Sequence, residues 1–140
     1  MKRILSAFIL TFVLTSIGAI AVESTIKTQT QNGVEFVNGG IGIDEQKAMR
    51  AIKGNYNMCM LFAVKGTGEY VTNVKFKVMD LAGKTLVDTA GAGPDLFVKL
   101  PPGHYKISAD RDGHVIEEAV MVPHKHVVTV PMYWPVEKGD

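Results

Sequence analysis

The sequence predicts a mostly β protein: seven strands in an antiparallel sandwich, with one short N-terminal helix packed on it. Three observations carry this expectation. From Tyr56 onward, apolar and polar residues alternate with period two, as in strands with one face in a core and the other in water. Turn residues interrupt the alternation at intervals of about eight to twelve positions, the punctuation of an all-β sandwich. One stretch alone, residues 44–53, carries apolar side chains at helical spacing.

Composition narrows the class further. The chain has 140 residues, 46% apolar and 21% charged, with 15 Lys and Arg against 14 Asp and Glu and a single cysteine. That length suits one domain, and the chain is too apolar for intrinsic disorder. Cys59 alone closes no internal disulfide and builds no Cys-rich zinc site. A formal charge of +1 gives no basic face for nucleic acid.

The N-terminus reads as a targeting segment. Lys2 and Arg3 precede an apolar run from Ile4 to Ala21, interrupted only by Ser6, Thr11, Thr15 and Ser16, which matches the n- and h-regions of a signal peptide. Ala19 and Ala21 form an A-x-A site, so cleavage is expected between Ala21 and Val22. An uncleaved membrane anchor is the alternative, because the run approaches the length that spans a bilayer. Removing 21 of the 140 residues leaves 119, and losing two of 15 basic residues leaves 13 against 14 acidic, a charge of −1. The short basic n-region predicts the bacterial periplasm, with secretion or an inner-membrane anchor as alternatives.

Residues 22–43 are rich in Thr, Gln and Asn and read as a flexible leader, with at most a short extended piece at 34–37. Gly39-Gly40-Ile41-Gly42 loosens the backbone ahead of Asp44, which reads as the helix N-cap, with Glu45 in the first turn. Ala48, Met49 and Ile52 form the apolar face, and Gly54-Asn55 stops the helix. Strands follow at about 57–64, 73–79, 85–88, 96–100, 104–110, 114–122 and 126–133. Val74, Phe76 and Val78 alternate with Lys75 and Lys77, and Tyr105, Ile107 and Ala109 with His104, Lys106 and Ser108. The first strand, Met58-Cys59-Met60-Leu61-Phe62-Ala63-Val64, is apolar on both faces. Its outer side therefore needs a cover, and Met49 and Ile52 are expected over Cys59, Leu61 and Ala63. The domain is expected to run over 44–135, leaving 136–140 as a tail.

The stretch Phe97-Val98-Lys99-Leu100-Pro101-Pro102-Gly103-His104-Tyr105-Lys106-Ile107, with Val74 to Asp80 and Gly83-Lys84-Thr85 before it, resembles the carboxypeptidase regulatory-like domains. These are transthyretin-like (prealbumin-like, Ig-like) β-sandwiches in which "L-P-P-G-x-Y-x-V" recurs. Two prolines and a glycine force a sharp reversal, and Tyr105 then points inward. The resemblance covers about 60 residues and implies a non-catalytic accessory or binding module, of a kind found in small exported bacterial proteins, with no cofactor. Related hydroxyisourate hydrolases use His and Arg at a tetramer interface and end in Tyr-Arg-Gly-Ser. This chain ends Trp134-Pro135-Val136-Glu137-Lys138-Gly139-Asp140, which disfavours a hydrolase.

Several side chains remain candidates for chemistry. His124 and His126 form an H-x-H pair beside Pro123; on a strand both imidazoles would share a face and offer two ligands to Cu or Zn. Exposed loop histidines explain them as well, and no carboxylate or further His lies beside the pair in sequence to complete a site of three or four ligands. His104 and His114 lie at opposite ends of one hairpin. Met58, Cys59 and Met60 suggest a soft-metal set, but alternation turns Cys59 away from both methionines, which favours core packing. Glu117 and Glu118 face opposite ways, so they form no acid and base pair, and one is expected to meet Lys106. The Gly39-to-Gly42 run lacks Rossmann or Walker spacing and reads as a hinge. Tyr133 and Trp134 form an aromatic patch that either contacts a periplasmic protein or glycan or closes the core. The function expected is thus an exported, non-enzymatic binding module, with a Cu/Zn protein as the alternative.

Overall fold

The computed structural model describes residues 26–136. The signal segment, its cleavage site at Ala21 and Val22, and residues 137–140 of the tail lie outside the described residues. Among the described residues no helix is long and apolar enough to cross a membrane.

The chain forms β1 (Thr28–Gln31), β2 (Val34–Gly39), α1 (Ile43–Ile52), a 3-10 turn (Lys53–Asn55), β3 (Met58–Val64), β4 (Val74–Asp80), β5 (Thr85–Ala92), β6 (Asp95–Lys99), β7 (Gly103–Arg111), β8 (His114–Val122) and β9 (Val128–Trp134). The first sheet has the order β1-β2-β6-β3-β9 and the second β5-β4-β7-β8. Side chains from both sheets share one core, among them Phe36, Met60, Phe62, Phe76, Leu96, Ile107 and Trp134. This is a β-sandwich-like architecture, and all seven expected strands are present as β3 to β9.

Three expectations need correction. Nine strands form among the described residues instead of seven, because the supposed leader supplies β1 and β2. Asn32 and Gly33 adopt φ of 49° and 76°, the paired left-handed geometry of a two-residue hairpin turn. The sheets are not wholly antiparallel: β9 runs parallel to β3, with Met58 opposite Val128 and Val64 opposite Trp134. The helix N-cap is Gly42, without a side-chain cap, and Asp44 and Glu45 fall in its first turn.

Nor is the glycine run a hinge. A Cβ on Gly39 would lie 2.9 Å from Glu45 Oε1 and 3.1 Å from Met49 Sδ, and one on Gly40 would lie 2.7 Å from Asp95 Oδ2. Gly40 and Gly42 also hold φ of 100° and 82°, where a Cβ is strained. The glycines let α1 turn back tightly onto the first sheet. Met49, with Ile52 beside it, then covers Cys59, Val37, Phe97 and Tyr56. The expected cover for the two-sided apolar strand is therefore present, although it reaches across to β2 and β6 and not along β3 to Ala63.

Side-chain amides tie the first sheet to the second. Gln31 accepts the Asp88 N–H at 2.8 Å and donates to the Asp88 carbonyl at 3.0 Å. Asn32 donates to the carbonyls of Leu86 at 3.1 Å and Thr85 at 3.3 Å. Asn38 donates to Gly91 O at 3.1 Å and accepts the Gly93 N–H at 2.7 Å. β5 is the edge of its sheet, so these amides satisfy backbone groups that no further strand would reach. Asn38→Ala is expected to lower unfolding free energy by about 1–3 kcal/mol, because it strands the partly buried Gly93 N–H. Urea denaturation reads this as a lower midpoint with an unchanged slope. Lys106→Ala, which removes only an exposed ion pair, is expected to change it by less than about 1 kcal/mol.

Candidate functional site

The outward-facing residues of β3 are Cys59, Leu61 and Ala63, since Met58, Met60 and Phe62 belong to the core. Register extends each into a row across the sheet. Phe97, Cys59 and Thr129 form the first row, Asp95, Leu61 and Pro131 the second. Helix α1 covers Phe97 and Cys59. The third row is Tyr70, Ala63 and Tyr133: Tyr133 lies opposite Ala63 in the parallel ladder, and Tyr70 faces it through an antiparallel bridge. That bridge is closed by Val64 N–H to Glu69 O at 2.7 Å and Val71 N–H to Phe62 O at 3.0 Å, so Ala63 and Tyr70 are a directly opposed pair with side chains on one face.

The outcome is a short aromatic platform. Tyr70 and Tyr133 remain 54% and 50% exposed, whereas Ala63 between them is 2% exposed. Two strand spacings separate the tyrosines, about 9.5 Å. A larger residue at position 63 would fill the gap between the rings.

The two residues expected to form an aromatic patch therefore part company. Tyr133 faces out. Trp134 faces in, 1% exposed, with its ring centroid 5.7 Å from that of Phe62, and its indole N–H donates to His114 O at 2.9 Å. That bond links β9 of the first sheet to β8 of the second. Tyr70 escaped the sequence reading because Lys65 to Asn73 looks like turn throughout, and only register places it beside Ala63.

His124 and His126 do not lie on a strand, because β9 begins at Val128. They are exposed in the loop between β8 and β9, so the shared strand face expected for them is absent. Among the described residues no three His, Cys, Asp or Glu side chains converge as a metal site. His104 and His114 stand at opposite ends of the β7–β8 hairpin, opposite Met121 and Arg111. Glu117 meets Lys106 at 3.2 Å, while Glu118 lies on the other face of β8.

Beneath α1, burial pushes the Cys59 thiol up to about 11, against the pull of Lys53. Burial likewise raises Asp95, opposed by Lys53 and Arg50. A thiol that stays protonated is a poor nucleophile and metal ligand. No protein-family model matches this chain, and neither does any curated protein.

The thiol shift predicts an alkaline weakness. The unfolded thiol ionises near 9.0 and the native one near 11, so the native state binds more protons between those values and loses stability as pH rises through them. Burial also raises Tyr56 and Tyr105, and these act in any variant. Urea midpoints measured across this window are expected to fall more steeply for the wild type than for Cys59→Ala. Parallel slopes would refute the assignment.

Proposed function

We propose that this chain is an exported, non-enzymatic β-sandwich module that binds an extended saccharide chain across Tyr70, Ala63 and Tyr133. The observation that carries this reading is the pair of half-exposed tyrosines held in register on either side of a buried alanine. Aromatic faces pack against the apolar C–H faces of sugars, with the phenol oxygens left to water and hydroxyls. A separation of about 9.5 Å, two strand spacings, is about the length of a disaccharide unit in an extended β-1,4-linked glycan. The rings would therefore meet alternate sugars of one chain.

Export rests on the Lys2-Arg3 n-region, the apolar run and the A-x-A site. A transthyretin-like, carboxypeptidase regulatory-like assignment rests on Leu100-Pro101-Pro102-Gly103 joining β6 to β7, with Tyr105 turned into the core and its hydroxyl donated to Pro101 O. The non-enzymatic reading is supported by a protonated, covered Cys59 and by the separation of Glu117 from Glu118 across β8.

Co-sedimentation of the chain with cellulose, chitin and peptidoglycan tests the proposal. Retention on at least one is expected, with Tyr70→Ala or Tyr133→Ala weakening it about tenfold each, the size of one aromatic contact. Tyr133→Phe is expected to keep most of the binding. No retention of the wild type on any of these, or equal retention by the alanine variants, would overturn it.

A further inference from the structure

A concavity lies at the end of the sandwich near the C-terminus of α1. The loop that joins β8 to β9 faces the segment 54–57 and the end of β6, and between them lies an open cleft of about 240 Å³. Lys99, His124, Lys125 and His126 line it together with Asn55 and Asn57, and among the described residues no carboxylate does. Neither lysine forms an ion pair among the described residues. The nearest acid by register is Glu35, opposite Lys99 on β2, and it already accepts the Tyr56 hydroxyl at 3.3 Å.

The floor of this cleft is fixed. Asn57 spends its side chain on the Leu100 backbone, accepting its N–H at 2.8 Å and donating to its carbonyl. Its own N–H goes to Val98 O at 3.3 Å, and its carbonyl accepts the Val128 N–H at 2.9 Å. One residue thus anchors the strand that carries Lys99 and the strand that follows the histidine loop. Scattered surface lysines separate to lower their repulsion. Two of them, with two imidazoles, share one concave surface that no carboxylate lines among the described residues, and such a cleft concentrates a positive field.

We propose that this cleft binds a phosphate-class oxyanion, either free or as the phosphate ester of a larger ligand. The lysines supply charge, and Asn55 and the imidazoles supply N–H donors; such charge-assisted hydrogen bonds are the strong ones. The volume exceeds that of one phosphate and leaves room for the first atoms of an ester. The site is separate from the tyrosine platform, because Lys99 lies beyond the Met58 end of β3 and the tyrosines flank Ala63 near the other end.

Isothermal titration of the full chain with inorganic phosphate, and separately with glucose 6-phosphate, tests this. Saturable binding of one equivalent is expected for at least one probe, weakened roughly tenfold or more by Lys99→Gln with Lys125→Gln. It is also expected to weaken as salt rises from about 0.05 to about 0.5 M, where screening shortens the reach of the field. Binding of both probes would favour a free-anion site, and of the ester alone a phosphorylated organic ligand; either supports the proposal. Should the double variant fail to fold by circular dichroism, Lys125→Gln on the exposed loop replaces it. No saturable binding of either probe, or binding unchanged in the folded variants, would overturn it. So would tight Zn binding lost in His124→Ala with His126→Ala and no phosphate binding, which would reassign the loop to metal.

Discussion

Three carboxamides from the first hairpin stand where a further strand would otherwise pair with β5. Gln31, Asn32 and Asn38 each bond backbone groups of residues 85–93, and Gln31 and Asn38 both donate and accept, as a peptide group does. A bare β5 would present unpaired N–H and C=O groups to other chains. The same seam fixes the position of β2 against the second sheet. From β2 follow the tight reversal at Gly39 and Gly40, the seat of α1, and the covered outer face of Cys59. The β2–β6 ladder and the burial of Phe36 and Val37 hold β2 from its other side.

The opposite side of the sandwich is closed more sparingly. The Trp134 indole reaches His114 O, and its ring packs on Phe62, which also meets Phe76 at 6.1 Å. β8 remains an edge. Glu118 shares the core-directed parity of Ile116 and Val120 on that strand yet stays exposed, and an inward-pointing charge discourages another strand from pairing there. One face of the first sheet is only partly covered: α1 screens its first row, and the third, with Tyr70 and Tyr133, stays open.

What the sequence made legible follows from what is local. The seven later strands announce themselves by alternation between turn residues, and the two-sided apolar run at 58–64 required a cover that α1 supplies. The polar leader was misread because Thr, Gln and Asn are the residues of mobile linkers, and a seam of side-chain amides needs those same residues. Asn32-Gly33 was the available hairpin signal, and Phe36 and Val37, both fully buried, the available core signal. The parallel β3–β9 pairing, by contrast, joins segments about 70 residues apart, and no local pattern states it. Tyr70 depends on that kind of information through Tyr133, whereas its own bridge to Ala63 spans only a tight turn. The histidine pair is visible as a motif, but its loop geometry and the presence of Lys99 in the same cleft are not.

The two surfaces proposed for binding, an aromatic row on an open sheet face and a basic cleft at one end, both lie on the sheet that the seam joins to the second. Amide hydrogen exchange at Asp88 and Gly93 tests the seam most directly, because the bonds of these N–H groups run to Gln31 and Asn38 side chains. Both are expected to exchange slowly, with residues 34–39 protected to a degree comparable with β3. Exchange of Asp88, Gly93 and residues 34–39 at the rate of unstructured peptide would contradict the seam and return residues 28–39 to a mobile leader.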